Sequence, residues 1–451
     1  MHFDGLIVFN PGNREVFSVE YLFQNRKKCP ETTDYLKSSA MVSLVQYAQK
    51  EKESRAKDVQ YDRLEGSALR TYGVGILGSG VISRTYIADI QKFYKALDIR
   101  AVADIDRRLA RTLADEFGIP KAYVTGELLQ DPDIEIVINL TPPQFHVELD
   151  KQILGAGKHL FSEKPFAPTL AEAAQVLAYA REKGCMVGGA PDTFLCSGLQ
   201  SMRWYLDAGI IGTPFFVTAN MTTFGVETWH PNPAAFYRQG AGPIMDMAPY
   251  YLSAIVALLG PIETLAAFSA QPSQIRRVYA GPRAGSGIPV ELPTHYSAIA
   301  RLRSGVVVNL NVSFDIYGSN LPMFEIYGDG GTLTYPDPNF GGGTPRVYRK
   351  EQYTDTAYRN DPEAEARKRR FYELPELMPR VKDYSRGLGV LDLAAAIDAG
   401  IPNRSGPEFL LHITEALEGL QLSAKTGSFY TMTTTCERPR PIAPGGYPET
   451  I

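Results

Sequence analysis

Tyr72-Gly73-Val74-Gly75-Ile76-Leu77-Gly78-Ser79-Gly80-Val81-Ile82-Ser83 is the stretch whose reading decides the fold. An apolar run ends on a glycine, a second glycine follows two residues later, and a helical pattern begins at once. Gly78 permits the tight turn out of a strand. Gly80 lets the backbone come close to a ligand. A helix opening at Val81 and Ile82 aims its unsatisfied N–H groups at a phosphate. Ser83 stands where this motif usually carries Gly or Ala, and it is small enough for close helix–strand packing. Gly-x-Gly-x-x-Ser alone is a weak signal. Its setting between a strand and a helix, with Asp104 closing the next strand, makes it a dinucleotide-binding turn. Asp104 is placed to accept hydrogen bonds from ribose hydroxyls and to repel a 2′-phosphate, and Ile105 follows it instead of an arginine. NAD is therefore expected ahead of NADP, with Arg107 and Arg108 near enough to keep NADP open.

Outward from this turn the chain alternates strands and helices. Strands are expected at Tyr72–Leu77, Ile99–Ala103, Ile134–Leu140, His159–Phe161 and Cys185–Gly188. Helices are expected at Ile82–Ala96, Arg107–Phe117, Gln144–Leu154 and Leu170–Lys183. That rhythm means a parallel sheet with right-handed crossovers. Beyond about Ala190 it changes. Helices are expected at Met202–Ala208, Met247–Leu259, Leu391–Ala399 and Pro407–Lys425. Strands at Phe215–Met221, Tyr296–Leu302, Val306–Phe314, Met323–Tyr327 and Thr332–Tyr335, with tight turns between the later ones, suit an antiparallel sheet. Residues 339–361 read as a long loop or irregular strands, and Arg438–Pro448 as an extended proline-rich tail. The fold class is α/β: a Rossmann-type parallel sheet over 71–190, then an α/β unit with a large, mainly antiparallel open sheet over 191–436, then a tail over 437–451. Residues 1–70 read as an extension or an oligomer arm, with a helix over Tyr35–Lys57.

The chain has 451 residues, 44% hydrophobic and 21% charged, which suits a soluble protein of two or three domains. A formal net charge of -4 leaves no basic stripe for nucleic acid and no polybasic membrane patch. No apolar run is long enough to span a bilayer. Met1-His2-Phe3-Asp4-Gly5 lacks the basic and apolar regions of a secretory signal, and the four cysteines (Cys29, Cys185, Cys196, Cys436) form no CxxC. A cytoplasmic protein with inert core thiols is expected, Cys185 lying in a buried strand. The histidines show no ligand spacing such as His-Glu-x-x-His, so no metal is expected.

Ligands of a doubly wound sheet sit outside the carboxyl ends of its strands. Asn139–Pro143, containing Thr141 and Pro142, and Ser162–Pro165, containing Glu163 and Lys164, should therefore both face the nicotinamide. For the Lys164–Pro165 bond trans is the prior, as for any X–Pro, with cis left open, and Pro165 holds Lys164 extended.

The glycine turn, Asp104, Thr141-Pro142-Pro143 with His146, Gly155-Ala156-Gly157-Lys158-His159, Glu163-Lys164-Pro165 and Gly242-Pro243-Ile244-Met245-Asp246-Met247-Ala248-Pro249-Tyr250 together resemble the Gfo/Idh/MocA oxidoreductases. The resemblance covers roughly residues 71–436. It implies an NAD(P)-binding Rossmann domain and a second domain whose open sheet commonly serves as an oligomer interface, here in a homodimer or homotetramer. It also implies an Asp-x-x-x-Tyr pair, Asp246 and Tyr250, as in glucose–fructose oxidoreductase and dihydrodiol dehydrogenase, in place of the Asp-x-x-x-His of inositol dehydrogenases. At i, i+4 both would share one helix face. A free phenol titrates near ~10, and the Lys164 ammonium and the nicotinamide would lower that value. Tyr250 is then the acid–base group, Lys164 the charge stabiliser, and Asp246 the group that positions the substrate or Lys164. Two other readings stand: Lys164 as the base, and Tyr250 as a core tyrosine beside Tyr251.

Substrate contacts are expected from Asp192, which follows the last Rossmann strand, and from Trp229 and His230 in an aromatic, proline-rich loop. The expected activity is NAD-dependent hydride transfer from a sugar, cyclitol or glycoside hydroxyl. Glycoside cleavage by transient oxidation and elimination, and a non-catalytic NAD- or sugar-sensing regulator, are the alternatives on the same fold.

Overall fold

The computed structural model describes residues 7–10, 15–18, 69–354, 371–378, 381 and 385–443. The helix expected over Tyr35–Lys57 and most of the foreseen N-terminal arm lie outside these residues. Within that region Ile7–Asn10 and Glu15–Ser18 pair as an antiparallel hairpin.

The first sheet has six parallel strands: β1 Tyr72–Leu77, β2 Leu97–Ala103, β3 Lys121–Tyr123, β4 Ile136–Asn139, β5 His159–Ser162 and β6 Val187–Gly189. Their order is β3-β2-β1-β4-β5-β6, the doubly wound arrangement whose crevice opens beside β1 and β4. Helices α1 Val81–Phe93, α2 Arg107–Phe117, α3 Thr125–Gln130, α4 His146–Gly155 and α5 Leu170–Lys183 make the crossovers. Along β4 the side chains alternate between two apolar clusters. Ile136 and Ile138 join the core shared with α1 and α2, and Val137 joins the one under α4 and α5. Each such burial is worth about 1.5–3 kcal/mol.

The second sheet contains β7 Pro214–Thr222, β8 Ile262–Ala270, β9 His295–Leu302, β10 Val307–Ser313, β11 Phe324–Gly328, β12 Gly331–Tyr335, β13 Arg346–Arg349, β14 Tyr372–Glu373 and β15 Tyr430–Thr431. The order is β14-β13-β12-β11-β7-β10-β9-β8-β15. Only β7 and β10 run parallel; every other neighbour pair is antiparallel. Helices α6 Ser197–Asp207, α7 Gly242–Asp246, α8 Ala248–Leu259, α9 Leu388–Ala399 and α10 Pro407–Thr426 complete the described core.

Several expected elements are corrected. The helix expected over Met247–Leu259 is α8, Ala248–Leu259, but Asp246 belongs to a separate short helix, α7, that ends just before Met247. Pro249 explains the break: it has no N–H to continue the ladder, and its ring excludes the carbonyl four residues back, so it is accommodated in the first turn of a new helix. Asp246 and Tyr250 consequently do not share one helix face. Cys185 precedes β6 and is half-buried, its thiol facing the carbonyls of Leu154 and Lys183. Lys164–Pro165 takes the cis form left open beside the trans prior, and Ala190–Pro191 is cis as well. Strands β3 and β8 and helix α3 were not foreseen, while β13 falls in the stretch read as a loop or irregular strands. In β8 alanines and an exposed Phe268 blur the period-2 pattern.

Candidate active site

The site forms where the first sheet's carboxyl edge meets α7 and α8. Gly78 leaves β1 at φ +106°, and a Cβ there would meet the Leu140 carbonyl at 2.9 Å. Glycine is required by both strain and space. Ser83 Oγ donates to the Gly78 carbonyl at 2.7 Å, so the serine that replaces the usual small residue also ties α1 to the turn. Gly80 caps α1 with an ordinary φ of -71°, and a Cβ on it would meet nothing within 4 Å. Neither strain nor protein packing calls for glycine here, and the open space leaves the backbone approachable by a ligand. The first turn of α1 carries no acidic residue, and no side chain caps it. Its N–H groups and positive dipole end, exposed Val81 and half-buried Ile82 included, suit a pyrophosphate. Ser79 Oγ is buried and unpartnered among the described residues.

Asp104 accepts from Ser79 N at 2.9 Å through Oδ2 and from Asp106 N at 3.1 Å through Oδ1. Each oxygen keeps a lone pair for a ribose hydroxyl. The two arginines that kept NADP open are paired elsewhere, Arg107 with Glu127 and Arg108 with Asp106. The residues present therefore fit NAD.

After β4, the Asn139 carboxamide oxygen accepts from Thr141 N and Oγ1 at 3.2 and 2.7 Å. Pro142 is exposed. His146, fully buried on α4, bridges two loops, with Nε2 2.8 Å from the Thr141 carbonyl and Nδ1 2.9 Å from the Pro165 carbonyl. Glu163 accepts from Tyr86 Oη at 2.9 Å and from Lys164 N at 2.8 Å. These contacts shape the loops on which a nicotinamide would rest.

Lys164 Nζ donates to Asp246 Oδ1 at 2.7 Å and to the Asp246 carbonyl at 2.9 Å. It lies 5.4 Å from the centroid of the Tyr250 ring. Two of its three N–H donors are thus spent on Asp246. Burial alone would favour neutral lysine, but the charge of Asp246, with Tyr250 and Glu163, outweighs it and holds Lys164 well above the usual ammonium range. The geometry thus favours the ammonium form of Lys164. Asp246 and Tyr250 still converge on Lys164 across the helix break, because the Met247 turn brings the end of α7 and the start of α8 to the same point.

No sequence motif marks Arg386. It is buried just before α9, and its Nη2 donates to Tyr250 Oη at 3.2 Å. The residues Arg386-Gly387-Leu388-Gly389 signal a close backbone approach through their glycines, but not the arginine's target. Asp192 is also buried, and its Oδ2 accepts from Gly387 N and Gly389 N at 3.1 and 3.0 Å. It fastens the start of α9. Trp229 is exposed and packs edge-on to His230, which in turn packs on Phe236. His230 Nδ1 accepts from Asn232 N at 3.0 Å, which leaves its proton on Nε2. Burial pulls His230 below the usual histidine range, against the opposing Asn232 contact and the charge of Asp246. No cluster of potential metal ligands occurs among the described residues, and no helix among them is long and apolar enough to cross a membrane.

An NAD-binding turn joined to a lysine–aspartate–tyrosine cluster defines the class of an oxidoreductase. Residues 72–189 match the Gfo/Idh/MocA oxidoreductase family, NAD-binding Rossmann fold, and residues 199–334 match the Gfo/Idh/MocA C-terminal domain. The matches take in more than half of the chain, and the protein belongs to the Gfo/Idh/MocA oxidoreductase family. Trans-1,2-dihydrobenzene-1,2-diol dehydrogenase of Bos taurus is 30% identical over 188 residues, 41% of this chain and 55% of that protein. Inositol 2-dehydrogenase/D-chiro-inositol 3-dehydrogenase of Lacticaseibacillus casei is 30% identical over 166 residues, 36% of this chain and 48% of that protein. The chain thus spans about half the length of these curated relatives. The solved structure of levoglucosan dehydrogenase in complex with NADH and L-sorbose superposes with a TM-score of 0.67 at 18% identity, covering 81% of this chain and 100% of that one. The likeness shows a shared fold.

Proposed function

We propose that the protein is an NAD-dependent dehydrogenase acting on a hydroxyl of a sugar, cyclitol or glycoside. One observation carries this reading: the Lys164 ammonium, bound to Asp246 at 2.7 Å, stands 5.4 Å from the Tyr250 ring at the sheet edge that also carries the glycine turn. Gly78, Gly80, Val81 and Ile82 hold the pyrophosphate, Asp104 the adenosine ribose, and Thr141, Pro142, His146, Glu163 and Lys164 the nicotinamide end. When bound, NAD supplies the acceptor for the hydride of the carbinol carbon.

Tyr250 accepts the proton of the substrate hydroxyl. Lys164 uses its remaining N–H on the same oxygen and stabilises the charge that develops there. Asp246 keeps the ammonium aimed. The positive charge of Lys164 also favours the phenolate form of Tyr250. His230 offers Nε2–H to a further hydroxyl, and Trp229 offers a face for a sugar ring. The dehydrogenase names of the relatives support the reaction class. Residues 71–190 act as the nucleotide-binding unit and 191–436 as the substrate unit. A homodimer or homotetramer forms through the open face of the second sheet, where Phe268 and Ile299 are exposed and Phe216 stacks on Tyr327 at 5.3 Å.

The test is NADH formation by the purified protein over levoglucosan, inositols, simple sugars and a dihydrobenzenediol. At least one should be oxidised, with the rate lost in Tyr250→Phe and Lys164→Met. Cleavage of a glycoside with no net NADH would replace this reading by oxidation and elimination. Bound NAD with no turnover at all would point to a sensing regulator.

A further inference from the structure

Arg386 enters the site from a segment 136 residues beyond Tyr250, and its backbone is held with unusual care. Arg386 N donates to Asp89 Oδ2 on α1 at 2.9 Å. Gly387 N and Gly389 N, one and three residues on, both donate to Asp192 Oδ2. Gly387 has φ +101°, and a Cβ on it would meet Ile90 at 2.9 Å and Tyr94 at 3.2 Å. Only glycine lets the chain press this closely on α1. Two buried carboxylates and an obligatory glycine therefore fix where the arginine side chain starts.

A buried guanidinium is costly unless its donors and charge are used. Here Nη1 donates to the Ser385 carbonyl at 2.9 Å and Nη2 to Tyr250 Oη, while Cζ lies 5.5 Å from the Tyr250 ring centroid. We propose that Arg386 is the positioning residue of Tyr250: its guanidinium fixes the phenol oxygen and, together with Lys164, stabilises that oxygen when it has lost its proton. The inference rests on Tyr250 being the acid–base group.

The surrounding charges are consistent with this. Lys164 and Glu163 come from the loop after β5, Asp246 from α7, Tyr86 and Asp89 from α1, and Asp192 and Cys196 from the segment after β6. Asp246 serves Lys164, Glu163 serves Tyr86 and Lys164 N, and Asp89 and Asp192 serve backbone amides. Burial holds Tyr86 far above the ordinary phenol range, with Glu163 and Asp192 adding to the effect and Arg386 opposing it. Cys196 is pushed up to about 12 by burial. Tyr86 and Cys196 therefore hold their protons more tightly than free side chains do.

The experiment is a carbon-13 NMR titration of protein labelled at tyrosine Cζ, with the Tyr250 resonance assigned by its loss in Tyr250→Phe. In Arg386→Met, Tyr250 should titrate about 1–3 pH units higher than in the native protein, the effect of removing one nearby cation. Arg386→Lys should recover most of that difference. If Arg386→Met does not fold, Arg386→Gln gives the same readout with a donor kept and the charge removed. An unmoved Tyr250 titration in a folded neutral variant overturns the proposal. With an oxidised substrate in hand, Arg386→Met should slow turnover in the native background and add nothing in Tyr250→Phe. Full turnover by Tyr250→Phe sinks the acid–base reading itself, whereas a crippled Tyr250→Phe with an unmoved titration sinks only the role of Arg386.

Discussion

A Cβ on Gly78 would lie 2.9 Å from both the carbonyl carbon and oxygen of Leu140, whereas one on Gly80, two residues on, would meet no protein atom within 4 Å. The two glycines of one motif therefore answer to different constraints. Gly78→Ala should destabilise the fold by about 2 kcal/mol or more, from a positive φ plus a backbone clash. Gly80→Ala should leave stability within about 0.5 kcal/mol and weaken NADH by about tenfold or more through lost phosphate contacts. Thermal unfolding and NADH fluorescence titration separate the outcomes. Equal destabilisation in both variants would contradict the assignment of Gly80 to the ligand.

Asp104 faces the turn through Ser79 N while Arg107 and Arg108 are engaged by Glu127 and Asp106. Neither of these two guanidiniums is thus left for a 2′-phosphate, and the carboxylate repels one. Native protein should prefer NADH to NADPH by about tenfold or more, a repulsion of about 1.4 kcal/mol. Asp104→Ser should narrow that ratio by weakening NADH and improving NADPH together. Paired titrations of the two nucleotides check it; a ratio unchanged in Asp104→Ser would remove the carboxylate from the specificity argument.

The first sheet was readable because its signals are local. Helix α2 begins and ends as its sequence suggests, since Asp106 caps Arg108 N and Gly118 closes it at φ 67°. Helix α5 does the same between Thr169 and Gly184. Local signals failed where two rules competed. The i, i+4 spacing of Asp246 and Tyr250 argued for one helix face, and Pro249 overrode it by opening a new helix after Met247. Lys164 and Asp246 were legible as candidates by resemblance, but their 2.7 Å contact is set by tertiary packing. Asp192 looked like a substrate ligand because it follows the last Rossmann strand; its two amide bonds to residues nearly two hundred positions away carry no local mark. Arg386 was invisible for the same reason.

Lys164 and Asp246 are each mostly buried, with side chains 16% and 17% exposed. Lys164→Met removes the ammonium and strands the carboxylate, so it should cost both activity and stability. The expected losses are about 10²–10³-fold in kcat and about 2 kcal/mol, less than for a fully buried pair because both groups keep some solvent. Adding Asp246→Leu should restore most of the stability and none of the turnover. Denaturant unfolding with steady-state rates distinguishes the two; recovery of turnover in the double variant would show that Lys164 acts only as a structural counter-ion.

Asp150, fully buried on α4, accepts from Asn139 Nδ2 at 2.7 Å. Burial pushes its carboxyl up to about 6, against the lowering pull of His146, Asn139 and Ser162. Because the folded pKa is raised above the unfolded value, the folded protein keeps a proton that the unfolded chain has already lost between about pH 4 and 6. Stability from this group is therefore full below about pH 4, declines through that window, and is lowest above about pH 6. Asp150→Asn does not titrate. Relative to the native protein it should gain about 2–3 kcal/mol as pH rises from about 4 to above 6, with no further change at higher pH. Urea midpoints measured across that range test the sign directly. Parallel stability curves for the two proteins would mean that the carboxylate is equally at ease in both states. A gap that closes as pH rises would mean that its charge is stabilised inside the fold, and the Asn139 hydrogen bond would then outweigh the cost of burial.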